Sequence, residues 1–493
     1  MMLLGQLLDR AGLTDKASQW QQYSDLEIRG LSYDSRRVET GDLFIAVAGR
    51  EADGHSHLEE ALGAGAVAAV VEHTMDADLP QVMVPDTRHG MGMLASAFYD
   101  NPSDRLFMVG VTGTNGKTTT AHLIRHLLKS RKMSAGLIGT IKYMVGEEVR
   151  DAPFTTPESL DIQYHLSDMI AAGESAAVME VSSHALALGR IEGTAFDLAA
   201  FTNLGRDHLD FHRTMDDYLA AKKTLFTHYR KNGAPAVINI DDPVGARLAE
   251  EIEGPVVTVG ITRYAEITAT QIEVGPRGLR FELGYGGERT QIESPLLGAF
   301  NIQNLLVAAA AGFHLGLPVS ETVGALSEVG VIEGRMERLE GLEDVEVVLD
   351  YAHKPEALRV ALQTCRDIAG GNVIVVFGCG GDRDRGKRPL MGRIAALGAD
   401  MVIVTNDNPR TENSDRIIDE IVAGMPAEAS YTIEPDRRVA ISLALSESAP
   451  GDLILIAGKG HEQYQIIGND RIPFDEREVI AEAIASLKNG GPR

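Results

Sequence analysis

From Val109 to Thr120 the chain reads Val-Gly-Val-Thr-Gly-Thr-Asn-Gly-Lys-Thr-Thr-Thr. Glycines and small hydroxyl residues closing on Lys-Thr are what a phosphate-cradling loop needs. Gly113 and Gly116 let the backbone turn tightly and bring its N–H groups to phosphate oxygens, with Thr114, Asn115 and Thr119 completing the turn. Lys117 has the reach to meet the outer phosphates, and the Thr118 hydroxyl suits a Mg²⁺ ion. The usual pattern has Gly six residues before the Lys. Here that position is Val111, and the nearest glycine is Gly110. Taken alone, the loop implies a nucleoside triphosphate and nothing narrower.

Other polar groups also sit where apolar runs end. Glu180 closes Ala-Ala-Val-Met-Glu-Val and precedes Ser182-Ser183-His184. A carboxylate at the end of such a strand, downstream of a phosphate loop, suits a Mg²⁺ ligand. Leu198 to Leu204 runs into Gly205-Arg206-Asp207-His208-Leu209-Asp210-Phe211-His212, a polar cluster where open α/β sheets bind ligands. Farther on, Asp350-Tyr351-Ala352-His353, Gly378-Cys379-Gly380-Gly381-Asp382-Arg383-Asp384, Asp407-Asn408-Pro409-Arg410 and Gly458-Lys459-Gly460-His461-Glu462 each follow an apolar run. The Gly378–Gly381 loop lacks the spacing of a dinucleotide fingerprint.

These groups must be held by strands feeding loops and helices. The loop at Lys117 follows Leu106-Phe107-Met108 and precedes a stretch from Ala121 to Leu128 with helical apolar spacing, so strand, loop and helix are expected in that order. Strands are expected at Asp42–Val47, Leu137–Thr140, Ala176–Val181 and Leu198–Leu204, a strand and an acidic turn within Ala236–Asp242, and in the last third strands at Val345–Leu349, Val373–Phe377, Met401–Thr405 and Leu453–Ala457. Ala61–Val71 mixes helix-forming and strand-forming residues. Leu31–Arg36 reads as a polar turn between strands. Between Glu266 and Pro295 period-two alternation with Gly turns predicts antiparallel hairpins, and a buried helix begins near Ala299. The expected fold is α/β with three domains. Residues 1–105 form a small α/β domain, 106–333 a central phosphate-loop domain with a mostly parallel sheet, and 334–493 a doubly wound, Rossmann-like domain.

The bulk numbers agree with a soluble multidomain enzyme. A chain of 493 residues, 44% hydrophobic and 24% charged, is too long for one domain. A net charge of −25 disfavours binding to nucleic acid or acidic lipid. The two cysteines, Cys365 and Cys379, can make neither a disulfide framework nor a cysteine-based zinc site. The start, Met1 to Arg10, lacks a basic region and reads as an amphipathic helix, and the apolar stretch Ala61–Val71 is too short to cross a bilayer. A cytoplasmic monomer with no membrane insertion is expected.

Together these segments resemble the Mur ligase family, ATP-dependent enzymes that add amino acids to the UDP-MurNAc precursor of peptidoglycan. The resemblance runs through Thr112–Thr119, Glu180–His184, Asn203–Asp210, Asn301-Ile302-Gln303-Asn304, Gly334-Arg335-Met336-Glu337 and Asp350–His353 in the family's order, and the family's phosphate loop accounts for Val111. Asp407–Arg410 looks like the signature of members that add meso-diaminopimelate. That ligand ends in a zwitterion. Arg383 and Arg410 would hold its distal carboxylate in bidentate fashion, and Asp407 and Glu462 its ammonium, with Asn408, Pro409 and Gly458 shaping the pocket. Lysine has no distal carboxylate and would leave the arginines partly unmatched.

Further roles come from the resemblance alone. The reaction would pass through an acyl phosphate, with ATP as substrate. One Mg²⁺ would lie on Thr118 and Glu180, and a second on His208 and a lysine carbamylated by CO₂. The family's Ala-Lys-x-x-Leu-Phe pattern falls on Ala221–Phe226, which makes Lys222 that lysine. Lys117, Glu180, His208 and Lys222 would be the catalytic set. Asn301, Arg335, Asp350 and His353 would contact the nucleotide. Tyr33, Ser35 and the Arg50-Glu51-Ala52 turn would face the uridine diphosphate, and Thr155, Thr156, Ser182 and Arg190 the muramoyl-dipeptide. The small-molecule partners would be ATP, UDP-MurNAc-L-Ala-D-Glu and meso-diaminopimelate. A lysine-adding sister, a folylpolyglutamate-synthase-like ligase and a nucleotide-dependent switch are the rival readings.

Overall fold

The Lys117 loop sits between a strand and a helix, as its flanking residues require. The computed structural model describes residues 1–49, 52–339, 341–342 and 344–488. In it the strand Phe107–Thr112 enters the loop and the helix Lys117–Ser130 leaves it. Val111 is fully buried within that strand. The strand therefore continues through the position where the usual pattern has glycine, and the turn is compressed into Gly113–Gly116. Gly113 (φ +150°) and Gly116 (φ +85°) supply backbone that a side chain would resist. The helix buries Leu123, Ile124, Leu127 and Leu128 along one face. Each contributes about 1.5–3 kcal/mol relative to exposure.

The described chain divides into two compact units, Met1–Val259 with Ala310–Gly312, and Gly260–Ala309 with the residues from Phe313 onward. The first unit holds two sheets. Gly30–Ser32, Asp42–Ile45, Ala68–Val71 and Gln81–Met83 pair in that order, all parallel. Ala61–Val71 resolves into the end of helix Leu58–Ala64, a left-handed Gly65 and the strand Ala68–Val71. The segment read as a polar turn at Leu31–Arg36 is partly strand, because Leu31 pairs with Leu43; the turn proper is the 3-10 segment Ser35–Arg37, capped by Asp34.

The larger sheet of this unit runs Glu148–Asp151, Lys142–Val145, Ala135–Ile138, Ala176–Glu180, Phe107–Thr112, Leu198–Phe201, Ala236–Asn239 and Val256–Gly260. It is parallel apart from the antiparallel edge made by Lys142–Val145 and Glu148–Asp151, a hairpin the sequence reading did not anticipate. The phosphate-loop strand lies between Ala176–Glu180 and Leu198–Phe201, with Glu180 opposite Val111 and Phe201 opposite Thr112. Register alone thus brings Glu180 and Thr202–Asn203 to the loop, at the carboxyl edge where such sheets bind ligands.

In the second unit Ile267–Gly275, Gly278–Tyr285 and Glu288–Ser294 form an antiparallel ladder, and the helix Phe300–His314 follows. The second sheet of this unit has the order Glu337–Leu339, Glu346–Asp350, Leu453–Ala457, Val373–Phe377, Met401–Val404, Tyr431–Ile433, antiparallel only at the first pair. Its four inner strands are largely continuous apolar runs, as a sheet covered on both faces requires. One face packs on helices that include Pro355–Ile368 and Lys387–Gly398, the other on Arg437–Glu447 and Glu476–Lys488. Asp350, the Gly378 loop, Asp407 and Gly458 all emerge at its carboxyl edge.

Candidate functional site

The phosphate loop is fastened to the residues that follow the neighbouring strand Leu198–Phe201. Thr114 N donates to Asn203 O at 2.8 Å, Asn115 N to Asn203 Oδ1 at 3.0 Å, and Thr202 Oγ1 to Asn115 O at 2.6 Å. Gly205 N donates to Thr114 Oγ1 at 2.9 Å. A Cβ on Gly113 would lie 1.9 Å from Thr202 Oγ1, so only glycine fits there. Lys117 Nζ folds over the loop and donates to Gly113 O (2.9 Å) and Thr114 O (3.0 Å).

At the neighbouring strand end, Glu180 is fully buried. Its Oε2 accepts from Thr118 Oγ1 and Thr140 Oγ1, each at 2.9 Å, and its Oε1 from Thr140 N at 2.8 Å. Three hard oxygens thus converge beside the loop. Among the described residues no group of three or more His, Cys, Asp or Glu could hold a metal. A site with one carboxylate and hydroxyls fits Mg²⁺, which completes its shell with water and substrate phosphates. Thr140 was not singled out in the sequence; its signal is only the turn after the strand Ala135–Ile138.

Thr155, Thr156, Ser182 and Arg190 gather around the same strand end. Thr155 Oγ1 lies 3.1 Å from Thr140 Oγ1, and Thr156 Oγ1 donates to Glu180 O at 2.8 Å and to Ser182 Oγ at 3.2 Å. Arg190 pairs with Glu158 at 3.0 Å and lies over the Phe154 ring. Tyr33 and Ser35 point their hydroxyls at carboxylates, Tyr33 to Asp161 (2.6 Å) and Ser35 to Glu60 (2.7 Å). Ala52 lies in a short turn, its carbonyl accepting from Gly49 N, whereas Arg50 and Glu51 lie outside the described residues.

On the helix Met215–Thr227, Tyr218 and Lys222 are four residues apart and share a face. Lys222 is 1% exposed; its Nζ donates to Gly113 O at 2.8 Å and lies 4.5 Å from the Tyr218 ring centre. Tyr218 OH lies 3.0 Å from Thr114 Oγ1. His208, with left-handed φ of +52°, pairs with Asp207 at 3.2 Å, and its ring lies 4.6 Å from His184 and 6.1 Å from Tyr218. Burial, reinforced by neighbouring His212, pushes His184 down to about 4. Lys222 and His208 therefore flank one aromatic residue, Tyr218, which the sequence reading passed over.

In the second unit Asn301 is buried near the start of its helix, its Nδ2 donating to Leu297 O at 2.8 Å and its Oδ1 accepting from Asn304. Arg335, Asp350 and His353 gather about Tyr351. The Arg335 guanidinium lies 4.9 Å from that ring centre, His353 Nδ1 meets Tyr351 O at 2.8 Å, and Asp350 Oδ2 accepts from Met336 N at 2.8 Å. Burial raises the Asp350 carboxyl, with Arg335 opposing.

Arg383, Asp407–Arg410, Gly458 and Glu462 share one end of the sheet. A Cβ on Gly380 would lie 2.9 Å from Arg410 Nη1 and 4.0 Å from Arg383 Cγ, so the two arginines flank that glycine. Arg410 Nη1 donates to Gly381 O at 2.8 Å. Asn408 donates to Glu462 Oε2 (3.0 Å) and accepts from buried Lys459 (2.9 Å) and Ile466 N (3.0 Å). Pro409 O accepts from Glu412 N. The Asp407 side chain is buried, and its Oδ2 has no hydrogen-bond partner. Burial would raise this carboxyl, but Lys459 and Arg437 overcome it and hold Asp407 below the usual carboxylate range. For Glu462 burial prevails and the carboxyl is raised. An ionised carboxylate with an unsatisfied oxygen, at the same sheet end as the Arg383–Arg410 pair, offers a zwitterion both charges it needs. Behind it, buried Arg437 pairs with buried Glu476 at 2.7 Å and donates to Ala457 O and Asn406 O, the residues preceding Gly458 and Asp407. Neither partner stood out in the sequence, since a charged residue on a helix ordinarily reads as solvated.

Known proteins resemble this arrangement along the whole chain. Family models described as Mur ligase family, catalytic domain, Mur ligase middle domain, and Mur ligase, glutamate ligase domain match residues 27–99, 111–312 and 334–460. A Gloeobacter violaceus protein named UDP-N-acetylmuramoyl-L-alanyl-D-glutamate--2,6-diaminopimelate ligase is 46% identical over 99% of both chains. A protein of the same name from Geobacillus thermodenitrificans is 44% identical, covering 93% of this chain and 95% of the other. A solved structure of a 2,6-diaminopimelate ligase of that name superposes with a TM-score of 0.68 at 34% identity, over 96% of this chain and 97% of that one.

Proposed function

This chain belongs to the Mur ligase family, and we propose that it is the member that joins meso-2,6-diaminopimelate to the D-glutamate of UDP-MurNAc-L-Ala-D-Glu, cleaving ATP to ADP and phosphate in peptidoglycan precursor synthesis. The observation that carries the amino-acid assignment is the orphaned Oδ2 of Asp407 at the same sheet end as the arginine pair at Gly380. An ammonium satisfies the first, and a carboxylate satisfies the second.

The D-glutamate γ-carboxylate attacks the ATP γ-phosphorus, which releases ADP and leaves an acyl phosphate. The diaminopimelate amine then attacks the acyl carbon, and the tetrahedral adduct collapses to amide and phosphate. Two anions meet in the first step, so cations must offset their repulsion. Lys117 swings from its loop carbonyls to the outer phosphates, while the loop N–H groups hold the inner ones. Thr118 and Glu180 would hold one Mg²⁺, and His208 with a carbamylated Lys222 would hold a second; such ions would supply charge neutralisation and polarisation at the phosphate oxygens. Carbamylation converts the Lys222 ammonium, which would repel a cation, into an anionic oxygen donor.

Thr155, Thr156, Ser182 and Arg190 orient the muramoyl-dipeptide, and Tyr33, Ser35 and residues Arg50, Glu51 and Ala52 take the uridine diphosphate. Asn301, Arg335, Asp350 and His353 serve the nucleotide. Asp407, with Glu462 and Asn408, takes the distal ammonium of diaminopimelate, while Arg383 and Arg410 take its distal carboxylate; Pro409 and Gly458 limit the pocket. We place a monomeric enzyme in the cytoplasm, where ATP and UDP-linked precursors are made; no helix among the described residues is long and apolar enough to cross a membrane.

Incubation with ATP, UDP-MurNAc-L-Ala-D-Glu and meso-diaminopimelate should yield ADP and a UDP product heavier by one diaminopimelate residue in mass spectrometry. ATP hydrolysis without that product would overturn the assignment.

A further inference from the structure

The two arginines assigned to the diaminopimelate carboxylate sit on different loops, Gly378–Asp384 and Asn406–Glu412, and something must set their spacing. Arg388, near the start of the helix Lys387–Gly398, lies behind both loops and is completely buried. Its guanidinium forks onto Glu412, Nη2 to Oε1 at 2.8 Å and Nη1 to Oε2 at 3.0 Å, and Nη1 also meets Glu420 Oε2 at 2.7 Å. The same Nη2 donates to Gly380 O at 3.2 Å, on the glycine that Arg383 and Arg410 flank.

Glu412 carries the link across. Its Oε1 accepts from Asp382 N at 2.5 Å, next to Arg383, and the Asp382 carboxylate accepts from Thr411 N (3.1 Å) and Thr411 Oγ1 (2.9 Å), next to Arg410. Asp382 (φ +53°) and Arg410 (φ +52°) both occupy left-handed backbone, which a non-glycine residue keeps only where its surroundings hold it. The loops also touch directly: Gly381 N donates to Asn408 O at 2.9 Å, and a Cβ on Gly381 would lie 1.9 Å from Pro409 O.

We propose that Arg388 and Glu412 form an ionic brace, anchored on the buried Arg388, that positions Arg383 and Arg410 for the distal carboxylate, so that Arg388 is a positioning residue for amino-acid selectivity without touching the substrate. The inference rests on the reading of Arg410 as a carboxylate ligand. Only a planar fork can serve Glu412, Glu420 and the Gly380 carbonyl at once; a lysine there keeps the charge and loses that geometry. The misplaced arginines would then weaken capture of diaminopimelate and leave the ATP site alone.

The test compares wild type, Arg388→Lys, Glu412→Gln, their double variant and Arg410→Ala by steady-state kinetics with each substrate varied in turn, alongside thermal melting. Removing Arg388 outright would strand two carboxylates, so the lysine variant and the isosteric Glu412→Gln carry the test. Arg388→Lys and Glu412→Gln are expected to raise the diaminopimelate KM roughly ten- to a hundredfold, with the KM for ATP and for the UDP substrate within about twofold of wild type. The double variant should be no worse than the poorer single one, since both break one contact. If Arg410→Ala raises the diaminopimelate KM while Arg388→Lys and Glu412→Gln change only kcat or melting, the brace is purely structural and the inference fails. If Arg410→Ala itself leaves that KM unchanged, the carboxylate reading fails first.

Discussion

Thr118 and Glu180 are 62 residues apart in sequence, yet Thr118 Oγ1 donates to Glu180 Oε2 at 2.9 Å, joining the first turn of the phosphate-loop helix to the end of the neighbouring strand. The strand pairing places Glu180 opposite Val111, which brings its carboxylate to the loop. A hydroxyl and a carboxylate so joined are ready to share one hard cation.

Glu180→Gln keeps the shape and the Thr118 contact but removes the negative charge. It should lower kcat by about 10²–10³-fold and move the Mg²⁺ activation midpoint to higher concentration. A magnesium titration of initial rates reads both effects. An unchanged midpoint would remove Glu180 from the metal's ligands.

Lys222 is buried against Gly113 O and the Tyr218 ring, so a role in metal binding requires that its charge be reversed. Enzyme stripped of CO₂ at mildly acidic pH and assayed in degassed buffer should lose activity and regain it with added bicarbonate. Lys222→Arg, which cannot form the carbamate, should be inactive under both conditions. Bicarbonate-independent activity in wild type would contradict the assignment.

Arg437 and Glu476 form a fully buried ion pair, and Arg437 also holds the Asn406 and Ala457 carbonyls. Arg437→Ala leaves Glu476 buried without its partner and should destabilise the domain by about 3–5 kcal/mol in urea denaturation. Replacing both residues by leucine should recover much of that loss, because no charge is then left buried. Equal losses in the single and double variants would show that the carbonyl contacts matter more than the ion pair.

The two carboxyls assigned to the ammonium titrate apart. Glu462 is raised by burial, so it protonates first as pH falls, while Asp407 is held low by Lys459 and Arg437 and stays ionised. The diaminopimelate KM should therefore rise on acidification through the Glu462 transition, above the ordinary glutamate value of about 4.3. Glu462→Gln should flatten that rise, whereas Asp407→Asn should raise KM at every pH and keep its slope. A KM profile that Glu462→Gln leaves unaltered would contradict this division.

Much of the architecture could be read from residue order. Apolar runs ending in charged loops located most strands between Phe107–Thr112 and Leu453–Ala457, though not Val256–Gly260 or Tyr431–Ile433, and alternation located the hairpins from Ile267 to Ser294. Edge elements escaped. Lys142–Asp151 and Tyr464–Pro473 are short hairpins with polar faces, and a polar strand carries little hydrophobic period. Glu180, His208, Asp350, His353, Arg383, Asp407, Arg410 and Glu462 were visible as polar groups after apolar runs; Lys222, Asn301, Arg335 and Arg190 came only from the family resemblance, and the supports of either set were not visible. Arg388, Glu412, Arg437 and Tyr218 act through long-range contacts that no local pattern encodes, and a buried arginine looks in sequence like any arginine on a helix. The turn predicted at Leu31–Arg36 became partly strand because Leu31 found Leu43 across the sheet, a partner that local propensity does not record.

The measurement that bears most directly on the whole account is phosphate release from ATP with UDP-MurNAc-L-Ala-D-Glu, comparing meso-diaminopimelate with L-lysine for wild type and Arg410→Ala. Diaminopimelate should drive turnover in wild type and lysine should not, and Arg410→Ala should lose most of its kcat/KM for diaminopimelate, by about 10²-fold or more. Equal turnover with lysine, or a variant that still prefers diaminopimelate, would contradict the arginine pair as the source of selectivity and leave a ligase whose amino acid is chosen elsewhere.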